Sequence, residues 1–449
     1  MCVKIRIIFD YFVCKNKYVF FTIINNSDFY VRKNMNFADF SAHKNQKKFS
    51  SLKKFLSKER FLLKKFLYKE RFCPKSFFTK KFLRYMKNMI IFVTENCTLK
   101  ISKTMKTPKF LPAKGTIAIV APSMGCTVEP GVSRLNAAIK RFESMGYKVL
   151  ESPNCRKNIG IGISNTPESC GQELTDFYCN PNNDILIACT GGELMCEILD
   201  FVDFEAIKNA PPKWFMGFSD NTNFTFLLNT ICDVASIYGS NIGSFGTEEL
   251  HVSQTDAIDI LTGWKDCVEG YDKFELLPLK SETNPYANLN LTELKQLRLF
   301  IGGNETDGEL EFEGRITGGC LDVLATLVGT RYDNVKSFNS KYKSEGVIWF
   351  FEACDLSIFA IRRALWTLDH AGWFETAKGF IVGRPNAAWA EEDMGLDQYN
   401  AVLGIIGKYN VPIVMDADIS HIPPSMPIVS GAYARVKAGE NLRIRFDCN

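Results

Sequence analysis

Short apolar runs that stop at glycine, serine or proline recur along this chain, and they restrict its fold more than any other feature. Thr116-Ile117-Ala118-Ile119-Val120 stops at Ala121-Pro122-Ser123, and Asp184-Ile185-Leu186-Ile187-Ala188-Cys189 stops at Thr190-Gly191-Gly192. Trp214-Phe215-Met216 runs into Gly217. Each run is short and apolar throughout, as a strand buried on both faces must be. Residues 130–147 read as an amphipathic helix and Tyr147-Lys148-Val149-Leu150 as a further strand. Strands alternating with helices point to an α/β fold with a mostly parallel sheet.

The pattern loosens over residues 251–312, with Asn, Glu, Thr and Pro clusters and the turn signal Gly302-Gly303-Asn304; this stretch reads as an insert or connection. Order resumes near Glu313. A Gly318-Gly319 turn precedes a helix from Cys320 to Val328, then come a strand Val347-Ile348-Trp349-Phe350-Phe351 and a helix over 357–371. Further strands are expected at Gly379 to Val382 and Val411 to Met415. The expected division is an extension (1–105), a first α/β domain (106–250), the connection (251–312) and a second α/β domain (313–449). A cleft between the two domains is the expected place for a site.

The formal charge of +4 over 449 residues conceals an asymmetry. Residues 1–105 carry 24 Lys and Arg against 6 Asp and Glu, a balance of +18, which leaves −14 for the remainder. The acidic remainder argues against a nucleic-acid binder, since polyphosphate would be repelled. The extension repeats itself at an offset of 11 residues, Lys53-Lys54-Phe55-Leu56-Ser57-Lys58-Glu59-Arg60-Phe61 returning as Lys64 to Phe72. Two readings follow: a basic amphipathic helix that touches lipid or an acidic partner, or, the preferred one, a disordered extension without a core of its own or upstream sequence that is not part of the working protein. There is no apolar stretch long enough to span a bilayer, and Met1 to Asp10 lacks a secretory signal pattern. The 15 cysteines include no CxxC pair and histidines number four, so neither a zinc site nor a disulfide framework is expected. The expected setting is a reducing cytoplasm, with no cofactor and no metal.

Three positions stand out for chemistry. Ser219 follows a buried strand, in Met216-Gly217-Phe218-Ser219-Asp220-Asn221. A serine on a strand-to-helix turn resembles a nucleophile elbow, although Asn221 replaces the second glycine; the alternative is that Ser219 or Asp220 caps the helix. Glu352 ends an apolar strand at the sheet's edge, where it could orient a histidine or pair with Arg362 or Arg363. His421 lies past a strand end, in Asp416-Ala417-Asp418-Ile419-Ser420-His421, where α/β sheets carry their chemistry; a plain loop histidine is the alternative. Cys354 is a rival nucleophile for His421. Thr190-Gly191-Gly192 allows close backbone approach to a ligand or is an ordinary tight turn.

Taken together these segments resemble the LD-carboxypeptidase and microcin-immunity family of serine peptidases, from about Gly115 to Asp447. The resemblance is carried by Ile119 to Ser123, Gly191-Gly192, Gly217-Phe218-Ser219-Asp220, Gly318-Gly319 with Gly329-Thr330, Phe351-Glu352, Gly383-Arg384-Pro385, and Asp416 to His421 with Met426-Pro427-Ile428. It implies a two-domain fold with Ser219 as nucleophile, His421 as base and Glu352 orienting it. It also implies backbone N–H groups of Asp220 and Gly192, or Gly191, at the oxyanion. The implied substrate is a small peptide or a peptidyl nucleotide, and the implied assembly a homodimer. Thr190 stands where the carboxypeptidase branch usually has Arg, and Ala353-Cys354-Asp355-Leu356 lacks that branch's second acidic residue at its usual place. The long 251–312 stretch looks more like the microcin-immunity branch. A non-catalytic α/β ligand binder is the rival from another class.

Overall fold

The computed structural model describes residues 105–448. The basic extension and its 11-residue repeat lie outside the described residues. Among the described residues no helix is long and apolar enough to cross a membrane.

Two sheets organise the fold. The first has six strands, in the order Ile428–Ser430, Ser236–Tyr238, Trp214–Gly217, Ile185–Ala188, Thr116–Val120 and Lys148–Glu151. All its pairs are parallel except the edge pair of Ile428–Ser430 with Ser236–Tyr238. The apolar runs behave as two-sided strands: Ile117 and Ile119 enter one core layer, and Ala118 and Val120 the opposite one. The same alternation splits Ile185 and Ile187 from Leu186 and Ala188. Crossover helices cover these faces. Gly131–Ser144 buries Leu135, Ala138 and Phe142, the three-and-four spacing of one helical face. Pro167–Cys179 starts at Thr166, whose hydroxyl accepts from the Ser169 N–H, with Pro167 in the first turn.

The second sheet has nine strands, in the order Asn304–Glu305, Arg298–Ile301, Pro412–Ala417, Ala377–Gly383, Val347–Glu352, Leu310–Cys320, Tyr433–Ala438, Leu442–Asp447 and Cys267–Glu269. Its middle is parallel and its flanks antiparallel. The 251–312 stretch is thereby woven into the fold. Its helix Val252–Thr262 is capped by His251, and its strands supply both edges of this sheet.

The two sheets share one continuous core layer, which holds Met216, Ile237 and Phe226 together with Ile316, Trp349 and Ile381. Gly319 allows that contact. A Cβ at Gly319 would sit 2.5 Å from Thr222 Cγ2, and the Thr222 hydroxyl accepts from the Cys320 N–H at 3.0 Å. The outcome is an α/β chain of two sheets whose parallel strands end towards one another. The loops after Val120, Ala188 and Gly217 in the first sheet, and after Glu352 and Ala417 in the second, carry the residues described next.

Candidate active site

Strand Trp214–Gly217 enters the site fully buried and turns at Phe218. Ser219 has φ +64°, the left-handed region that a side chain rarely adopts. That turn is tight because Gly217 has no side chain: a Cβ there would lie 2.6 Å from Asn221 Cβ. Helical turns follow at Ser219–Asn221, Thr222–Leu227 and Leu228–Cys232. Neither Ser219 nor Asp220 caps them; the residues at their N-cap positions, Phe218 and Asn221, make no side-chain capping bond. Strained geometry of this kind at a strand-to-helix turn displays the hydroxyl away from the helix.

The hydroxyl meets His421. Ser219 Oγ lies 2.9 Å from His421 Nε2, and His421 Nδ1 lies 2.6 Å from Glu352 Oε2. The three residues are 202 and 69 positions apart along the chain. Glu352 is fully buried as the last residue of Val347–Glu352. Burial opposes charge on the imidazole, but the Glu352 carboxylate and the Cys354 thiol outweigh it and hold the His421 pKa above its ordinary 6.5. Phe218 packs on the imidazole at 4.6 Å between ring centroids.

A buried ion pair braces the histidine loop. Arg384 donates to Asp418 Oδ1 at 2.7 Å and to the Asp416 carbonyl at 3.1 Å. Asp418 Oδ2 accepts from the Tyr271 N–H, and the Ser420 hydroxyl donates to the Arg384 carbonyl. The Gly383-Arg384-Pro385 and Asp416–His421 segments are therefore two halves of one support.

The glycine loop lies against the serine. A Cβ at Gly191 would sit 3.1 Å from Ser219 Cβ and 3.4 Å from its Oγ, whereas Gly192 faces the Ser123 hydroxyl and Met124. The Asp220 N–H belongs to the first helical turn, where an N–H has no intrahelical acceptor. The Asp220 carboxylate ties three loops together. It accepts from Ser123 Oγ at 2.6 Å, the Met195 N–H at 2.9 Å and Asn223 Nδ2 at 3.1 Å. Burial pushes its pKa up despite those bonds.

Cys354 is half-buried beside His421. Burial raises its pKa more than the imidazole lowers it, so the thiol is kept protonated. The Cys320 sulfur, a Glu352 oxygen and a His421 nitrogen lie within 4.8 Å of one another, a grouping with metal-ligand chemistry among the described residues. Two of its members already bond to each other.

Comparison with known protein families gives two matches. Residues 117–239 match the LD-carboxypeptidase N-terminal domain, and residues 313–436 match the LD-carboxypeptidase C-terminal domain. Together the matches cover more than half of the chain. The chain belongs to the LD-carboxypeptidase and microcin-immunity family.

Among relatives, the Microcin C7 self-immunity protein MccF of Escherichia coli is 24% identical over 322 residues, 70% of this chain and 88% of MccF. An MccF-like protein from Bacillus anthracis superposes with a TM-score of 0.63 at 22% identity, covering 76% of this chain and 99% of its own. A muramoyltetrapeptide carboxypeptidase from Oxalobacter formigenes superposes at 0.56 with 21% identity, covering 74% and 98%. At these identities the structural likeness establishes the fold. In this LD-carboxypeptidase-family chain, Ser219, Asp220 and the glycine loop come from the N-terminal match, and Glu352 and His421 from the C-terminal one.

The structure brings Ser219, His421 and Glu352 into one hydrogen-bonded row, with Gly191 and Asp220 alongside. His370 lies elsewhere, exposed and stacked on Trp366. Sequence reading overlooked Tyr238. Its hydroxyl accepts from the Ser219 N–H at 3.2 Å and donates to Glu352 Oε1 at 2.5 Å. The available signal was weak: a three-residue strand, Ser236-Ile237-Tyr238, ending in tyrosine before Gly239. The side-chain bond of Asp220 to Ser123 was overlooked as well, because nothing local links residues 97 positions apart.

Proposed function

We propose that this chain is a serine-type hydrolase that cuts an amide bond near a peptide C-terminus through an acyl-enzyme on Ser219. The observation that carries the reading is His421, whose two ring nitrogens face Ser219 Oγ at 2.9 Å and Glu352 at 2.6 Å. Those distances suit proton transfer from the hydroxyl and orientation of the imidazole by a carboxylate. In this reading His421 Nε2 takes the Ser219 proton as the oxygen attacks the carbonyl carbon. Glu352 stabilises the imidazolium. The N–H groups of Asp220 and of Gly191 or Gly192 receive the negative oxygen, each worth roughly 3 kcal/mol. His421 then protonates the departing amine, and water, activated the same way, releases the acid.

A second reading, hydrolysis of a peptidyl or aminoacyl nucleotide amide, is favoured by Thr190 and by the long 251–312 stretch. Solved structures of MccF hold aspartyl sulfamoyl adenosine and glutamyl sulfamoyl guanosine. Either substrate requires the same row of side chains, whereas a non-catalytic binder has no use for it. A homodimer and a cytoplasmic location complete the proposal, checked by sedimentation and by fractionation.

The test is turnover of a muropeptide ending in D-alanine and of an aminoacyl sulfamoyl-adenylate by the full chain and by Ser219→Ala. Release of D-alanine supports the first reading and release of the sulfamoyl nucleotide the second. Undiminished turnover by Ser219→Ala refutes both.

A further inference from the structure

Tyr238 stands on the last residue of Ser236–Tyr238, in register with Gly217 and next to the serine turn. It is fully buried, its ring lying between Phe218 at 5.1 Å and Phe350 at 5.4 Å. The hydroxyl has two partners from two sheets, and their chemistry fixes the direction of both bonds. The Ser219 N–H has a proton to give, so the phenol oxygen accepts it. An ionised carboxylate only accepts, so the phenol proton goes to Glu352 Oε1. Glu352 is then held at both oxygens, Oε1 by Tyr238 and Oε2 by His421.

We propose that Tyr238 is a positioning residue of this site, fixing the Glu352 carboxylate to the serine turn so that its second oxygen meets His421. The inference rests on the Ser219–His421–Glu352 reading above. Without the phenol, Oε1 is a buried acceptor with no partner, and the carboxylate can turn away from the imidazole to satisfy it. Burial and the Glu352 charge keep the phenol protonated well beyond its ordinary range, so the donor persists at working pH.

The experiment follows the second-order rate at which the full chain forms an adduct with a fluorophosphonate probe, read by intact mass. Tyr238→Phe is expected to slow the reaction about tenfold in the natural chain, but less than about threefold where Glu352 is already Gln, because the two act through one bond. A merely structural tyrosine would cost the same in both backgrounds, and that result, or no slowing, overturns the inference. Should the phenylalanine variant not fold, 3,5-difluorotyrosine at position 238 keeps the ring and strengthens the donor. It should move the acid limb of the rate to lower pH, by drawing charge from the carboxylate that holds the imidazolium; an unmoved limb overturns the inference. That limb belongs to His421, which Glu352, Cys354 and Cys320 face from one sheet and Ser219 and Glu193 from the other. Ser219→Ala separates the two levels: an adduct persisting in that variant refutes the nucleophile assignment, whatever Tyr238 does.

Discussion

Replacing Asp220 separates its side chain from its backbone N–H. The carboxylate accepts the Ser123 hydroxyl and the Met195 N–H on one oxygen and Asn223 Nδ2 on the other. Asp220→Ala strands the first two donors in the interior. Asn223 Nδ2 keeps its bond to the Asp220 carbonyl at 3.0 Å. At about 1–3 kcal/mol for each buried donor left without a partner, the cost is about 2–6 kcal/mol. Asp220→Asn can place its carbonyl oxygen where both donors point, losing only the Asn223 bond, about 1 kcal/mol. The charge itself contributes no support, because burial holds the folded pKa above the unfolded 3.8. The folded chain therefore binds that proton more tightly, and ionising the group costs stability as pH rises through its pKa. Urea unfolding of the three proteins at neutral pH measures the difference. Equal losses for Ala and Asn would show that the charge matters and refute the argument, as would an alanine variant as stable as the natural chain.

Further outcomes follow from the same geometry. The acid limb of kcat/KM should lie above pH 6.5, since the base must be neutral and its pKa is raised; Glu352→Gln should lower the limb by about 1 pH unit or more while reducing the rate. A pH profile of both proteins decides this, and an unmoved limb contradicts it. Cys354→Ser should retain turnover within about threefold, because the thiol is protonated and His421 Nε2 faces Ser219 instead; a steady-state assay checks it. Gly191→Ala should leave the circular-dichroism spectrum intact and lower kcat about tenfold, since its Cβ would press on Ser219 at 3.1 Å.

Much of the layout was legible because buried parallel strands announce themselves: an apolar run such as Ile185–Ala188 has few other uses. Ser219, Glu352 and His421 stood out because each ends or follows such a run. What could not be read locally was the pairing that brings distant segments together. Ile428–Ser430 crosses back to the first sheet beside Ser236–Tyr238, and these are three-residue strands with no period to detect. The edge strands Cys267–Glu269 and Asn304–Glu305 hide in polar sequence because an edge strand has one wet side and needs no apolar run. Tyr238 and the Arg384–Asp418 support were invisible for the same reason: a buried polar residue shows its purpose only through its partner.

The proposed chemistry needs Ser219 as a nucleophile activated by His421, with Glu352 orienting the imidazole. Mass mapping of the fluorophosphonate adduct tests it most directly. A single modified residue, Ser219, is expected, with the reaction slowed about a thousandfold or more in His421→Ala. An adduct on Cys354, or labelling of His421→Ala at the natural rate, would contradict it.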